Sequence, residues 1–448
     1  MNKLESIATR ITRLRPARYF GVVAEIRAGL VRVSGLNTHG AIGDRVIFSD
    51  TGMGGEIVAL GPQLADILTE SSSDGLSIGA QVELVFAPRL APSDAWIGRI
   101  IDPFGNPIDG RPLSPGRAER AFLAEAPPAV TRKRLGGRLN TGLVIFDTLL
   151  PIVRGQRIGL FAGSGVGKST LLSNLARGIE ADLVVIALIG ERGRELREFV
   201  ETVLGPEGMA RAVVIAATSD KSPLIRRRCA WAAMAVAEHF RDQGRHVLFL
   251  ADSITRFAEA HREIALLSGE GASDRGFPPS TAHLIMSLAE RAGPGGENAG
   301  DITAIFSVLV AGSDMEEPIA DILRGVLDGH VVLDRAIAER GRFPAVDVLR
   351  SVSRALPQAA NEAENQLIGR ARAALGAYAE SELMIKAGLY AQGSDPALDE
   401  AVRLYPALDA VVAQKSPQGA AASFTMLANA LGQPRFTGSR PGHGTHPV

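Results

Sequence analysis

A chain of 448 residues exceeds what one hydrophobic core supports, so two or three domains are expected. Lys+Arg number 48 against Asp+Glu 49, a formal net charge of -1, which supplies no overall basic field and disfavours nucleic acid as the main partner. The single cysteine, Cys229, excludes an intramolecular disulfide and reads as a small core residue on a helix. The opening Met1-Asn2-Lys3-Leu4-Glu5 lacks the apolar core of a signal peptide, and no apolar run approaches membrane-spanning length, so a cytoplasmic location is expected.

In chain order, Leu4, Ile7, Ile11 and Leu14 recur at steps of three and four, which predicts an amphipathic helix ending before Pro16. It either folds back on its own domain or docks another protein, and the pattern does not choose. From Tyr19 to Val85, short alternating apolar runs broken by glycine predict strands at 21–26, 29–33, 43–48, 55–60 and 80–85, which suit a small barrel. The turn-rich run Gly98 to Gly110 marks passage into the next domain. From Ile152 to Ala345 apolar strands, among them 183–189, 212–216, 246–251 and 302–309, alternate with helical stretches, the signature of a largely parallel sheet covered by helices. Beyond Pro357 the chain turns alanine-rich with apolar residues at helical spacing through Leu431. The expected division is a helix over 1–18, a β-barrel over 19–92, an α/β domain over 93–356, an α-helical domain over 357–432 and a disordered Gly/Pro/His-rich tail over 433–448.

The α/β segment carries the chemistry. Ala162-Gly163-Ser164-Gly165-Val166-Gly167-Lys168-Ser169-Thr170 lies between an apolar strand and a helix opening at Lys168, and reads as a phosphate-binding loop for a nucleoside triphosphate. Small residues let successive N–H groups converge on one point, and the helix adds its positive dipole end. Lys168 would reach the β and γ phosphates, and the Ser169 hydroxyl would take a place on Mg2+. Ala162 stands where the strict pattern has glycine, tolerable if that position needs no positive φ. Leu171, Leu172, Leu175 and Ala176 give the helix a buried stripe.

The apolar strand 246–251 ends at Asp252, a position suited to holding the metal through a water; the alternative is a helix cap beside Ser253. Ile189-Gly190-Glu191-Arg192 offers a carboxylate, Glu191, to orient or deprotonate water, with Arg192 placed to contact the γ phosphate. Taken alone, this segment is equally an exposed strand end.

Four further runs occur in a specific order: Gly190-Glu191-Arg192-Gly193-Arg194-Glu195, Leu250 to Phe257, Gly276-Phe277-Pro278-Pro279-Ser280, and Pro344-Ala345-Val346-Asp347-Val348-Leu349-Arg350-Ser351-Val352-Ser353-Arg354. With the phosphate loop, they resemble the rotary ATPase superfamily and, within it, the flagellar and type III secretion export ATPases, over about Gly21 to Leu431. The resemblance implies an N-terminal barrel, a central RecA-like P-loop ATPase domain and a helical C-terminal domain, in a homohexamer with ATP at subunit interfaces. By motif, Glu191 is similar to the catalytic carboxylate, Lys168 and Ser169 to the phosphate and magnesium ligands, and Asp252 to the metal residue. Arg354 is similar to the arginine finger inserted into the neighbour's site. Phe343 takes the place of an aromatic ring stacked on adenine, where tyrosine is common; the alternative is a core residue. Pro357 is expected to end helical structure close behind Arg354. The acidic segment Ala311 to Pro318 corresponds to a loop facing the central opening, and a basic or coiled-coil partner and a solvated loop are equal readings of it.

Three functions compete within that resemblance: protein export, the catalytic subunit of an ATP synthase, and a Rho-type RNA translocase. The translocase needs basic and aromatic residues in its N-terminal domain, and 19–85 has few. Gly-Phe-Pro-Pro-Ser at 276–280 and Asp328-Gly329-His330-Val331-Val332-Leu333 look like export enzymes rather than synthase subunits. Val33 to Leu36 with Gly43-Asp44, and Gly388 to Pro396, look more like the flagellar than the virulence branch. The implied partners are a regulatory stator-like protein at the N-terminal helix, a central coiled-coil stalk, export-gate membrane proteins and chaperone–cargo complexes. The implied location is cytoplasmic, peripheral to the inner-membrane export apparatus.

Overall fold

The computed structural model describes residues 17–27, 29–87, 89–310 and 315–433. The expected N-terminal helix, the expected tail from 434 onward and the first half of the acidic loop at 311–318 lie outside the described residues.

Six strands close into an antiparallel barrel: β1 (Phe20–Arg27), β2 (Leu30–Ser34), β3 (Arg45–Phe48), β4 (Gly54–Leu60), β5 (Leu64–Thr69) and β6 (Gln81–Phe86), in the order β1-β2-β5-β4-β3-β6. Closure leaves no free edge. Alternate residues Val31, Val33, Val46, Phe48, Ile67 and Val82 point inward and are wholly buried. Strand β5 was absent from the sequence pattern; its Asp66 interrupts an apolar run and is held across the sheet by Arg32, whose Nε donates at 3.2 Å.

A short ribbon, β7 (Arg89–Leu90) with β9 (Arg120–Ala121), leads into a nine-stranded sheet. Its members are β8 (Arg99–Ile101), β10 (Arg157–Ala162), β11 (Leu183–Glu191), β12 (Ala212–Thr218), β13 (His246–Asp252), β14 (Gly293–Pro294), β15 (Asp301–Leu309), β16 (Gly329–Leu333) and β17 (Val346–Ser353). The main order is β17-β16-β10-β15-β13-β11-β12-β8, parallel except for β17, with β14 pairing antiparallel to the start of β15. The run Gly98 to Gly110 therefore contains an edge strand of this sheet, as well as turns.

Both faces are covered, which is why the strands are continuous Val/Ile/Leu runs. Along β11, Val184, Ile186 and Leu188 join the core shared with the helix Lys168–Gly178 and the C-terminal helices. Leu183, Val185, Ala187 and Ile189 join the core beneath the helix Pro223–Arg241. Cys229 lies on that helix fully buried, and burial pushes its thiol up, so it is a core residue as expected. The C-terminal helices Glu362–Lys386, Pro396–Val412 and Ala420–Ala430 pack on the opposite face.

The barrel is tied to the sheet domain by a buried ion network. Glu56 of β4 accepts from Arg227 at 2.7 Å and from Arg228 at 2.5 Å, and Arg228 also reaches Glu70 at 3.3 Å. Removing one partner from such a set costs about 3–5 kcal/mol, because the others are left charged and unpaired. The two bodies are thus held together by specific charges rather than by a loose linker.

Candidate active site

The parallel sheet delivers three strand ends, β10, β13 and β11, to one edge, and the side chains at those ends form the site. Strand β10 runs straight into the phosphate loop. Ala162 is the last residue of the strand and is not among the residues with positive φ, so its replacement of glycine carries no backbone cost. Gly165 (φ 77°) and Gly167 (φ 88°) do adopt the left-handed region, where a side chain is strained. Gly163 and Ser164 precede them, and Val166 is buried and anchors the loop to the core. Gly167 is the N-cap of the helix Lys168–Gly178, whose Leu171, Leu172, Leu175 and Ala176 are buried as their spacing requires.

Ser169 and Thr170, in the first turn of that helix, are exposed into a cleft of about 180 Å³. Glu191, Asp252, Glu195, Phe199 and Val203 also line it. The Lys168 ammonium lies against the Asp252 carboxylate, and Asp252 Oδ1 also accepts the Ser307 hydroxyl at 2.6 Å. Asp252 ends β13, is 4% exposed, and leaves the helix cap to Ser253, whose hydroxyl accepts from Arg256 N. The helix cap is therefore Ser253 and not Asp252, whose carboxylate is left to line the cleft.

Glu191 is turned by a register shift: Gly190 takes φ 68° and the pairing of β11 with β12 skips between Ile189 and Glu191. Burial and the adjacent Asp252 carboxylate push its carboxyl up to about 7, against the pull of the Lys168 ammonium. A carboxyl poised near neutrality suits proton transfer to or from water. Arg192 is N-cap of the short helix Gly193–Glu198, with its side chain 76% exposed and 3.6 Å from Glu195, outside the cleft lining.

Phe343 is half exposed beside the phosphate loop, its ring carbons 3.2 Å from where a β-carbon at residue 167 would stand. It is not a core residue, and its open face is available to a flat ligand.

Arg354 lies at the other edge of the sheet. The chain over Val346–Ser353 is a strand, not the helical structure that Pro357 was expected to terminate. Because β17 runs antiparallel, Arg354 comes out level with the start of β10: its N–H donates to Asp328 O at 3.0 Å, and Asp328 N–H donates to Arg157 O at 2.8 Å. The phosphate loop begins five residues farther along β10, roughly 17 Å away at about 3.3 Å per residue. That exceeds the length of an arginine side chain, so Arg354 does not reach the cleft of its own chain.

Ser307 was missed by sequence reasoning, and its signal was a lone hydroxyl in an otherwise apolar strand. Among the described residues, no cluster of three or more His, Cys, Asp or Glu side chains is arranged to hold a metal ion.

Residues 142–353 match the model of the ATP synthase alpha/beta family, nucleotide-binding domain, and 360–433 match the T3SS EscN ATPase C-terminal domain. The flagellum-specific ATP synthase of Caulobacter vibrioides is 44% identical over 440 residues, covering 96% of this chain and 99% of that protein. The chain belongs to the type III secretion ATPase family. Membership makes it an ATP-hydrolysing enzyme, and the resemblance drawn from its motifs is borne out. Among solved members of the family, the assembled ATPase EscN of the enteropathogenic E. coli type III secretion system matches with a TM-score of 0.84 at 34% identity, covering 92% of this chain and 100% of that one. EscN in complex with its central stalk EscO matches at 0.83, with the same identity and coverage. The barrel, central sheet and helical C-terminal region are those of this family.

Proposed function

We propose that this chain is the ATPase of a flagellar protein-export apparatus, working as a homohexamer whose ATP turnover releases cargo from chaperones and unfolds it at a membrane gate. The observation that carries the reading is the match to the flagellum-specific relative at 44% identity along 99% of its length; the secretion-system ATPases of Xanthomonas euvesicatoria (39% along 94%) and of the SPI-2 system of Salmonella typhimurium (44% along 81%) match at lower identity or over less of their length. A central coiled-coil stalk is the partner proposed by analogy with the EscN–EscO complex. A stator-like regulator, export-gate proteins and chaperone–cargo complexes complete the proposed set. No helix of the described residues is long and apolar enough to cross a membrane. The proposed location is the cytoplasm, at the periphery of the inner-membrane apparatus.

At the site, the loop N–H groups of 163–170 and Lys168 hold the triphosphate, and the Phe343 ring stacks on adenine. Lys168 leaves Asp252 for the phosphates on binding, and the freed Asp252 carboxylate, still held by Ser307, faces the cleft. The residues fit magnesium arriving with its nucleotide: the Ser169 hydroxyl opens on the cleft and Asp252 stands behind it, while the protein alone offers no closed ligand set. Bound there, the ion would neutralise charge between the β and γ phosphates. Glu191 orients the attacking water and takes its proton. Arg354 from the neighbouring subunit neutralises charge in the transition state, and Arg192, next to Glu191 but outside the cleft lining, would have to turn inward to contact the γ phosphate.

Lys168→Ala and Glu191→Ala should each lower ATP turnover by about 10²-fold or more, with circular dichroism and ring assembly unchanged. Substantial turnover in either variant would sink the assignment.

A further inference from the structure

The lip of the sheet below Arg354 carries an ion-paired set that the reaction scheme leaves unused. Asp328 sits one residue before β16, and its carboxylate accepts three N–H bonds from one residue: Arg157 N at 3.0 Å, Nε at 3.1 Å and Nη2 at 3.1 Å. A two-pronged guanidinium contact of this kind fixes direction as well as distance. The Arg157 fork is itself anchored, its Nη1 donating to Glu290 at 2.5 Å. Asp328 then uses its carbonyl on the other side, accepting from Arg354 N at 3.0 Å and from Gln156 Nε2 at 3.0 Å.

The neighbouring contacts are equally specific. Gly329 lies so close to β17 that a β-carbon there would stand 2.6 Å from Val352 O, which keeps Asp328 and Arg354 in register. Ser353 donates to Pro151 O at 2.6 Å, and the Arg354 guanidinium rests on Arg324 O at 3.1 Å. Arg354 is thus held at its backbone and at its guanidinium while the residue remains exposed.

We propose that Asp328, locked by Arg157, is the positioning residue for Arg354: it sets where the guanidinium stands against the phosphates bound by the next subunit. The proposal rests on the reading of Arg354 as acting in trans. Asp328 touches no substrate and works through the backbone of residue 354.

Mixed rings separate this role from a structural one. Asp328→Asn rings should lose about 10- to 100-fold in kcat, as expected for misplacing a catalytic group by an ångström, with KM for ATP little changed. Mixed with Lys168→Ala subunits, they should recover activity, because the competent interface takes its loop from the Asp328→Asn subunit and its arginine from the other. Mixed with Arg354→Ala subunits, they should recover nothing, since both then supply a defective arginine side. Arg157→Lys keeps the charge but loses the fork, and should sort the same way.

Recovery with Arg354→Ala, or failure with Lys168→Ala while the control pair Arg354→Ala and Lys168→Ala recovers, would overturn the role of Asp328 alone. Failure of that control pair would remove the trans reading and the proposal with it. Loss of ring assembly in both Asp328→Asn and Arg157→Lys would make the pair structural and also overturn the proposal.

Discussion

At the C-terminal ends of β10, β11 and β13, charged groups crowd an open cleft: Lys168 lies on Asp252, and Glu191 is pushed up to about 7 by burial and that same carboxylate. At the N-terminal ends of the sheet strands the charges are paired instead, with Asp301 held by Arg154 at 2.5 Å and by Lys133 at 3.0 Å, and Asp328 held by Arg157. In the proposed scheme a nucleotide relieves the crowding at one edge, and the satisfied ion pairs at the other hold Arg354 in a fixed place. On the proposed reading a subunit carries two half-sites on opposite rims of one sheet, and neither half is sufficient for the chemistry.

The contrast breaks most visibly at Arg354. Arg354→Ala should lower kcat by about 10³-fold or more, the scale of an arginine finger, while nucleotide binding stays close to that of the unaltered protein. A matching loss of ATP affinity would mean that the N-terminal rim also binds ground-state nucleotide.

The two rims should also respond oppositely to pH in nucleotide-free protein. Glu191 binds its proton more tightly folded than unfolded, so it makes stability fall as pH rises from about 4.5 toward 7. For Asp301, burial pushes the carboxyl up, but Lys133 and Arg154 outweigh burial and hold it below its usual range. Its contribution is therefore present above the ordinary carboxylate range and is lost as pH falls through the depressed value. Denaturant midpoints across pH should show Glu191→Gln flattening the neutral limb and Asp301→Asn flattening the acid limb. The same limb altered by both variants would contradict the assignment.

The smallest effect is expected at Phe343. Loss of a stacking contact worth about 0.5–1.5 kcal/mol in Phe343→Ala should raise KM by roughly 2- to 10-fold with kcat little changed. A dominant fall in kcat would place the ring in the transition state rather than in binding.

How far the sequence alone reached follows the same division. The C-terminal rim was legible because phosphate binding demands small residues, lysine and a hydroxyl at fixed local spacing, and because apolar strands announce the acids at their ends. Glu191, by contrast, needed the family motif, since its bulge and its crowding by Asp252 exist only in three dimensions. On the N-terminal rim Arg354 was named through the family motif, but its support was not legible: Arg157 and Asp328 are 171 positions apart, and nothing local marks them as partners. Strand β17 was obscured by Asp347, Arg350 and the serines, polar residues tolerated on an edge strand with one solvated face. Strand β5 was hidden by an acid whose partner lies on another strand.

The most direct test of the divided site is specific ATPase activity against protein concentration, with the mass of the assembly followed in the same samples. If each cleft depends on the neighbour's Arg354, activity per subunit should be close to zero in dilute monomer and should rise to a plateau as rings form. Full activity per subunit in samples that remain monomeric would contradict the account.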